Sequence, residues 1–147
     1  MSNSCHKNPE NAQYYFKCKV DGQEYIPNGC ANCLVAKLLG DTTLLINGNR
    51  GFEAVDIGII KLDRIPIIAT NYILNDNPQQ NGMYDNSPQV NDIFKSDATR
   101  TGLLNITVLD KSNKIISGIF YFQAYNPVQN KTVNITDGQF RLNYSIN

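Results

Sequence analysis

The sequence predicts an all-β protein, an antiparallel β-sandwich. Three observations lead there. Apolar side chains recur with a period of two along nearly every regular stretch, the spacing of a half-buried strand. Turn dipeptides such as Asp-Gly separate those stretches. Asn supplies 20 of the 147 residues, a residue that favours turns over regular ladders. No amphipathic helix longer than two turns is convincing. About eight short strands with regular turns mean a sandwich or, as the alternative, a lipocalin-like closed barrel. The length fits one domain. Residues 1–12 read as a flexible N-terminal tail and 13–147 as a single β domain.

The elements follow in order. "YYFKCKV" (14–20) meets Asp21-Gly22 and then "QEYI", a two-residue hairpin. Its register pairs Val20 with Gln23, Cys18 with Tyr25 and Phe16 with Pro27, and sets Lys19 opposite Glu24. Cys33–Leu39 is a short strand or one helical turn. "TTLLING" (42–48) and "FEAVDIGII" (52–60) form a second hairpin, joined near Asn49-Arg50-Gly51. Asn75 to Asp97 carries Pro78, Pro88 and Gly82 with few apolar residues. It reads as a long loop crossing between sheets, with a short strand or helical turn near Ile93-Phe94. "GLLNITVLD" (102–110) and "KIISGIFYFQAYN" (114–126) make a third hairpin around "KSN". Gly118 inside that strand signals a bulge or a close backbone approach. A fourth hairpin is expected at Asp137-Gly138, where Ile135 would pair with Phe140 and Val133 with Leu142.

Composition narrows the function. Lys plus Arg equals Asp plus Glu, 13 of each, with no block of like charge. The basic footprint of a nucleic-acid binder is missing. No apolar run reaches the ~18 residues that span a bilayer. Only four residues precede Cys5, so no signal peptide is visible in this chain. No phosphate-binding glycine motif occurs. The single histidine, His6, lies in the tail, where it is poorly held for a Ser-His-Asp or Cys-His arrangement. The chain therefore reads as a non-enzyme without a cofactor.

The cysteines leave three readings. A redox dithiol at Cys30-x-x-Cys33 would need a helix N-terminus and a βαβ setting. Cys5, His6, Cys18, Cys30 and Cys33 could supply a zinc site, but only one Cys-x-x-Cys knuckle is present. A disulfide among Cys18, Cys30 and Cys33 is the structural reading. Cys18–Cys30 or Cys18–Cys33 would clip the loop to the first strand; Cys30–Cys33 closes a short, more strained ring.

Other side chains have a plain reading beside a functional one. Glu24, Glu53, Asp56 and Asp63 are the carboxylates a glycosidase-like enzyme would need. Glu53 and Asp56 fall on opposite faces of one strand, so a polar strand face is the simpler account. Asp76, Asp85, Asp92 and Asp97 crowd the long loop with oxygen ligands suited to calcium, yet match no EF-hand spacing. Tyr121 and Tyr125, with Gln123 between them, are candidate ligand-facing aromatics for a sugar or peptide.

Both ends of the chain also carry a resemblance. "GLLNITVLDKSNKIISGIFYFQAYN" followed by "KTVNITDGQF" resembles the C-terminal signature of a family of small β-rich lipoproteins from Bacteroidota. In that family a G-x-L-x-I-T-x-L-D strand leads to I-I-S-G-x-F-x-F and then V-x-I-T-x-G-x-F. "FKCKVDGQEYIP" is similar to its opening hairpin. The family is uncharacterised, so the resemblance carries over no catalytic residue. It implies export and a lipid anchor on a cysteine, here Cys5, and hence a place in the cell envelope at the outer membrane or surface. The expected function is a non-catalytic envelope module with a protein, peptide or glycan partner. It would touch the membrane only through Cys5 and bind no nucleic acid. A carrier of a small apolar ligand is the alternative.

Overall fold

The computed structural model describes residues 14–86 and 92–146. Cys5, His6 and the tail lie outside the described residues. Eleven strands follow in chain order: β1 (Tyr15–Val20), β2 (Gln23–Tyr25), β3 (Leu34–Leu39), β4 (Thr43–Arg50), β5 (Glu53–Ile60), β6 (Asn71–Ile73), β7 (Gln80–Asp85), β8 (Ile93–Lys95), β9 (Gly102–Asp110), β10 (Ile115–Asn126) and β11 (Lys131–Asn143). They build one antiparallel sheet in the order β2-β1-β11-β10-β8-β7-β5-β4-β3, with β9 also on β10 and β6 on β9.

The sheet folds over itself as a sandwich. Phe16 of β1 lies against Gly48 of β4, strands far apart in sheet order. A parallel bridge, Lys37↔Ser145, ties β3 to the residues after β11. The sheet does not close into a barrel, so the lipocalin-like alternative is corrected. Bulky side chains fill the interior instead. Phe16, Phe94, Phe120, Phe122, Phe140 and the inward aliphatics of β4 and β5 (Leu44, Ile46, Val55, Ile57, Ile59) are buried.

Most strands form where the period of two places them. The first hairpin has the expected register at Val20↔Gln23, Lys19↔Glu24 and Cys18↔Tyr25. Asp21 and Gly22 both take positive φ, as a tight turn matching strand twist requires. The pairing stops there, and Phe16 faces Phe140 on the other side of β1. Cys33–Leu39 resolves as strand β3.

Two expectations are corrected. Asp137-Gly138 is not a hairpin but a β-bulge inside the continuous strand β11. Both neighbours shift register there, β1 between Lys17 and Lys19 and β10 between Phe120 and Phe122. Asp137 takes φ 53°. The Asn75–Asp97 segment is not one long loop. It contains β7, paired to β5, and β8, paired to β7 and β10.

Gly118 is the close approach expected of it. The β9–β10 register slips between Ser117 and Gly118, and a Cβ at Gly118 would sit 2.4 Å from the Asn105 carbonyl oxygen.

Candidate functional site

The disulfide joins Cys30 to Cys33, with Cα atoms 5.3 Å apart. Cys18 is a free thiol. The expected clip from Cys18 to the loop is therefore corrected. Cys18 alternates onto the inner face of β1 with Phe16, while Cys30 lies exposed on the surface. Burial pushes the Cys18 thiol up to about 12, only partly offset by the Arg50 charge. It is an inert core thiol rather than a nucleophile. The disulfide loop docks on β4 through Asn49 N–H to the Cys33 carbonyl (2.8 Å) and Gly51 N–H to the Asn28 carbonyl (3.2 Å).

Beneath that loop lies a polar knot. Tyr25 donates its hydroxyl to the Gly48 carbonyl at 2.8 Å. Tyr84 donates to Glu53 Oε2 at 2.7 Å, and Arg50 pairs with Glu53 Oε1 at 3.0 Å while stacking over the Tyr25 ring. Burial raises both tyrosines, with the Glu53 charge adding to the effect. Glu53 thus holds β2, β4, β5 and β7 together.

The long-loop carboxylates are also spoken for. Asp76 pairs with Lys95 at 3.0 Å, and Asp92 accepts from Gln129 at 2.6 Å. Asp97 accepts from the backbone N–H of Arg100 and Thr99, which holds its carboxyl below the usual range. Among the described residues no group of three or more metal-ligating side chains converges.

Tyr121 and Tyr125 share the outer face of β10 but meet different surroundings. Arg100 covers the Tyr125 ring at 3.8 Å, and the Tyr125 hydroxyl donates to Asn130 Oδ1 at 2.7 Å. Tyr125 is thereby used to pin two loops. Tyr121 is 54% exposed and Ile119 52%. They line a groove of about 460 Å³ with Leu103, Thr136, Asp137 and Gln139. The Asp137 bulge sits opposite Tyr121, and Asp137 pairs with Lys19 at 3.4 Å.

Two features escaped the sequence. Ile65, Ile68 and Ile73 are exposed around a hollow of about 560 Å³ beside edge strand β6. Their apolar character is plain in the sequence, but their exposure is not. Asp56 points outward from β5, away from Glu53, and accepts from Asn47 Nδ2. Burial raises its carboxyl to about 6, against the lowering effect of the Asn47 hydrogen bond, with Asp85 adding repulsion.

Comparison with known proteins adds one result. No curated protein and no solved structure matches the chain. The family model of a domain of unknown function, DUF6252, matches residues 13–142. That span takes in every strand but the last residue of β11. An uncharacterised family was the expectation from the terminal signatures, and the chain belongs to the DUF6252 family.

Proposed function

We propose that this protein is an exported, non-catalytic recognition module of the cell envelope, anchored through Cys5, that holds a neutral glycan in the Tyr121 groove. The observation that carries the reading is the groove itself. The exposed Tyr121 ring and Ile119 stand there beside Leu103 and the polar side chains of Thr136, Asp137 and Gln139. A ring face with amide and hydroxyl neighbours suits a sugar, which offers C–H faces and hydroxyls at once. β10 and β11 are paired on both sides, so no free backbone edge is available there for a peptide to add as a strand. The exposed Cys30–Cys33 disulfide supports an oxidising compartment. The carboxylates of Glu53, Asp63, Asp76, Asp97 and Asp110 are engaged in holding strands and loops, which supports the non-catalytic part.

The test is a glycan array with wild type and Tyr121→Ala, repeated on a peptide array. Glycan binding that vanishes in the variant, with Tm unchanged, is the expected result. Binding that survives the substitution, or binding to peptides alone, refutes the groove. Incorporation of labelled palmitate that is lost in Cys5→Ala tests the anchor.

A further inference from the structure

The register of β3, β4, β5 and β7 sets their outward side chains in rows. One row runs Val35, Asn47, Asp56, Met83; the next runs Lys37, Leu45, Gly58, Asn81. Gly58 leaves a hole in this grid. A Cβ there would meet Leu45 Cδ2 and Asn81 Oδ1 only at 3.7 Å, and its φ is not positive, so neither crowding nor backbone strain demands glycine. The hole opens a cup of about 340 Å³. Val35, Leu45 and Met83 give it apolar walls, and Asp56 is its carboxylate.

Asp56 lacks a counter-ion. Its hydrogen bond is to the Asn47 amide, and none of the ion pairs among the described residues includes it. The Asn47 carbonyl oxygen is itself buried with no donor. Asn81 gives its N–H to Asp76 at 3.2 Å, which leaves its carbonyl on the Gly58 side. The charged groups around the cup are few. Asp85 on β7 repels Asp56. Lys37 on β3 also lines the cup, two strands from Gly58 across Leu45, and makes no ion pair with Asp56. Asp76 and Lys95 neutralise each other beyond Asn81. Acceptors on Asp56, Asn47 and Asn81 thus outnumber the lining cation, Lys37, which leaves Asp56 without a counter-ion. A partly buried carboxylate without a counter-ion costs stability that an amide or aliphatic side chain there would not. A cationic ligand would remove that cost.

We propose that this cup binds an aliphatic primary ammonium, with its N–H donors on Asp56 and the Asn81 carbonyl and its chain along Val35, Leu45 and Met83. The same chemistry comes from a free alkylamine or from a lysine side chain on another polypeptide. The site is separate from the Tyr121 groove and does not depend on it.

The test is amide NMR titration of the whole chain with n-hexylammonium, 1-hexanol, hexanoate and Nα-acetyl-lysine methylamide. At about pH 7.5, shifts at Leu45, Asp56, Gly58 and Asn81 should saturate with hexylammonium and not with the alcohol or the acid. Below about pH 6 the affinity should fall about tenfold per pH unit, because protonation removes the charge that is bound. Asp56→Asn should weaken binding at least about tenfold. Gly58→Leu should abolish it by filling the cup while keeping the carboxylate; its amide spectrum checks the fold. Saturation by the lysine derivative as well assigns the site to a lysine-bearing chain, and by hexylammonium alone to a free amine. Equal binding of hexanol, unaltered binding in Asp56→Asn, or no saturation by either amine overturns the proposal.

Discussion

Gly118 and Phe140 face each other across the β10–β11 ladder, and so do Phe120 and Gly138. The two contacts look alike and should respond differently to substitution. A Cβ on Gly138 would lie 2.5, 2.5 and 2.6 Å from three atoms of the Phe120 ring. That ring is buried and hemmed in by Phe16, Phe122 and Phe140, with centroids 5.2, 6.4 and 6.2 Å away. It has nowhere to slide, so Gly138→Ala should cost about 1–3 kcal/mol, the usual range for overpacking. A Cβ on Gly118 meets the Asn105 backbone oxygen at 2.4 Å before it meets Phe140 at 2.9 Å. Trimming Phe140 cannot move that backbone. Phe120→Leu alone should cost about 1–2 kcal/mol, less than full truncation. Gly138→Ala with Phe120→Leu should then be about as stable as Phe120→Leu alone. Gly118→Ala with Phe140→Leu should be additive within about 0.5 kcal/mol. Urea unfolding reads both cycles, since at a slope near 2 kcal/mol/M each kcal/mol moves the midpoint by about 0.5 M. A neutral Gly138→Ala, or equal coupling in both cycles, would refute the reasoning.

Other outcomes follow from the same contacts. The Asp56 carboxyl ionises near 3.8 when unfolded and about 6 when folded, so the native state holds the proton more tightly. Its contribution to stability is greatest below about pH 4, is lost as pH rises through 6, and stays lost above; Asp56→Asn should therefore stabilise by about 1–3 kcal/mol near pH 7.5 and not at about pH 3.5, measured by urea midpoints. Removing the disulfide with Cys30→Ser and Cys33→Ser should cost about 2 kcal/mol or less for so short a ring, and hydrogen exchange should quicken at Asn49 and Gly51 while β10 and β11 stay protected. Cys18 should resist alkylation in the native protein and react only after denaturation, located by peptide mass; labelling in the native state would contradict its burial. Tyr84→Phe should cost about 1–2 kcal/mol by leaving Glu53 one donor short, read by the same urea midpoints.

Where one strand carries its own signal, the sequence was enough. Alternation located β4, β5, β9 and β10, and Asp21-Gly22 fixed the first register. Asp137-Gly138 misled for a definite reason. A two-residue loop and a one-residue bulge both reverse which residues face inward. Val133 and Ile135 before it, and Phe140 and Leu142 after it, are buried under either arrangement. What decides is whether both halves keep the same neighbours, and β1 and β10 run past the bulge on both sides. β7 failed differently. Its inner face is Gly82 and Tyr84, too little apolar content to read as a strand. The Phe122 ring from β10 occupies the space where a Gly82 side chain would stand. The apolar residue that completes β7 is on another strand.

The sites divide along the same line. The Cys30–Cys33 pair and the outward Tyr121 belong to single segments and could be named from them, although the pairing partner of Cys30 and the covering of Tyr125 by Arg100 could not. Asp56 looked like one polar position on a strand face, because along β5 its neighbours on that face are only Ala54, Gly58 and Ile60. It acquires meaning when register brings Asn47, Met83, Leu45 and Asn81 around it. No pattern within one strand encodes that grouping. The same register also explains why the carboxylate is costly. Its cross-strand partners are an amide and a thioether, neither a cation, and the like charge of Asp85 lies one step along β7. A residue kept only to make the strand face polar would be replaced by Asn at no loss. If Asp56→Asn raises stability near neutral pH and removes ammonium binding, stability has been set against recognition at this one position. If it raises stability and changes nothing else, Asp56 is a tolerated strain and the cup beside it is a gap left by glycine.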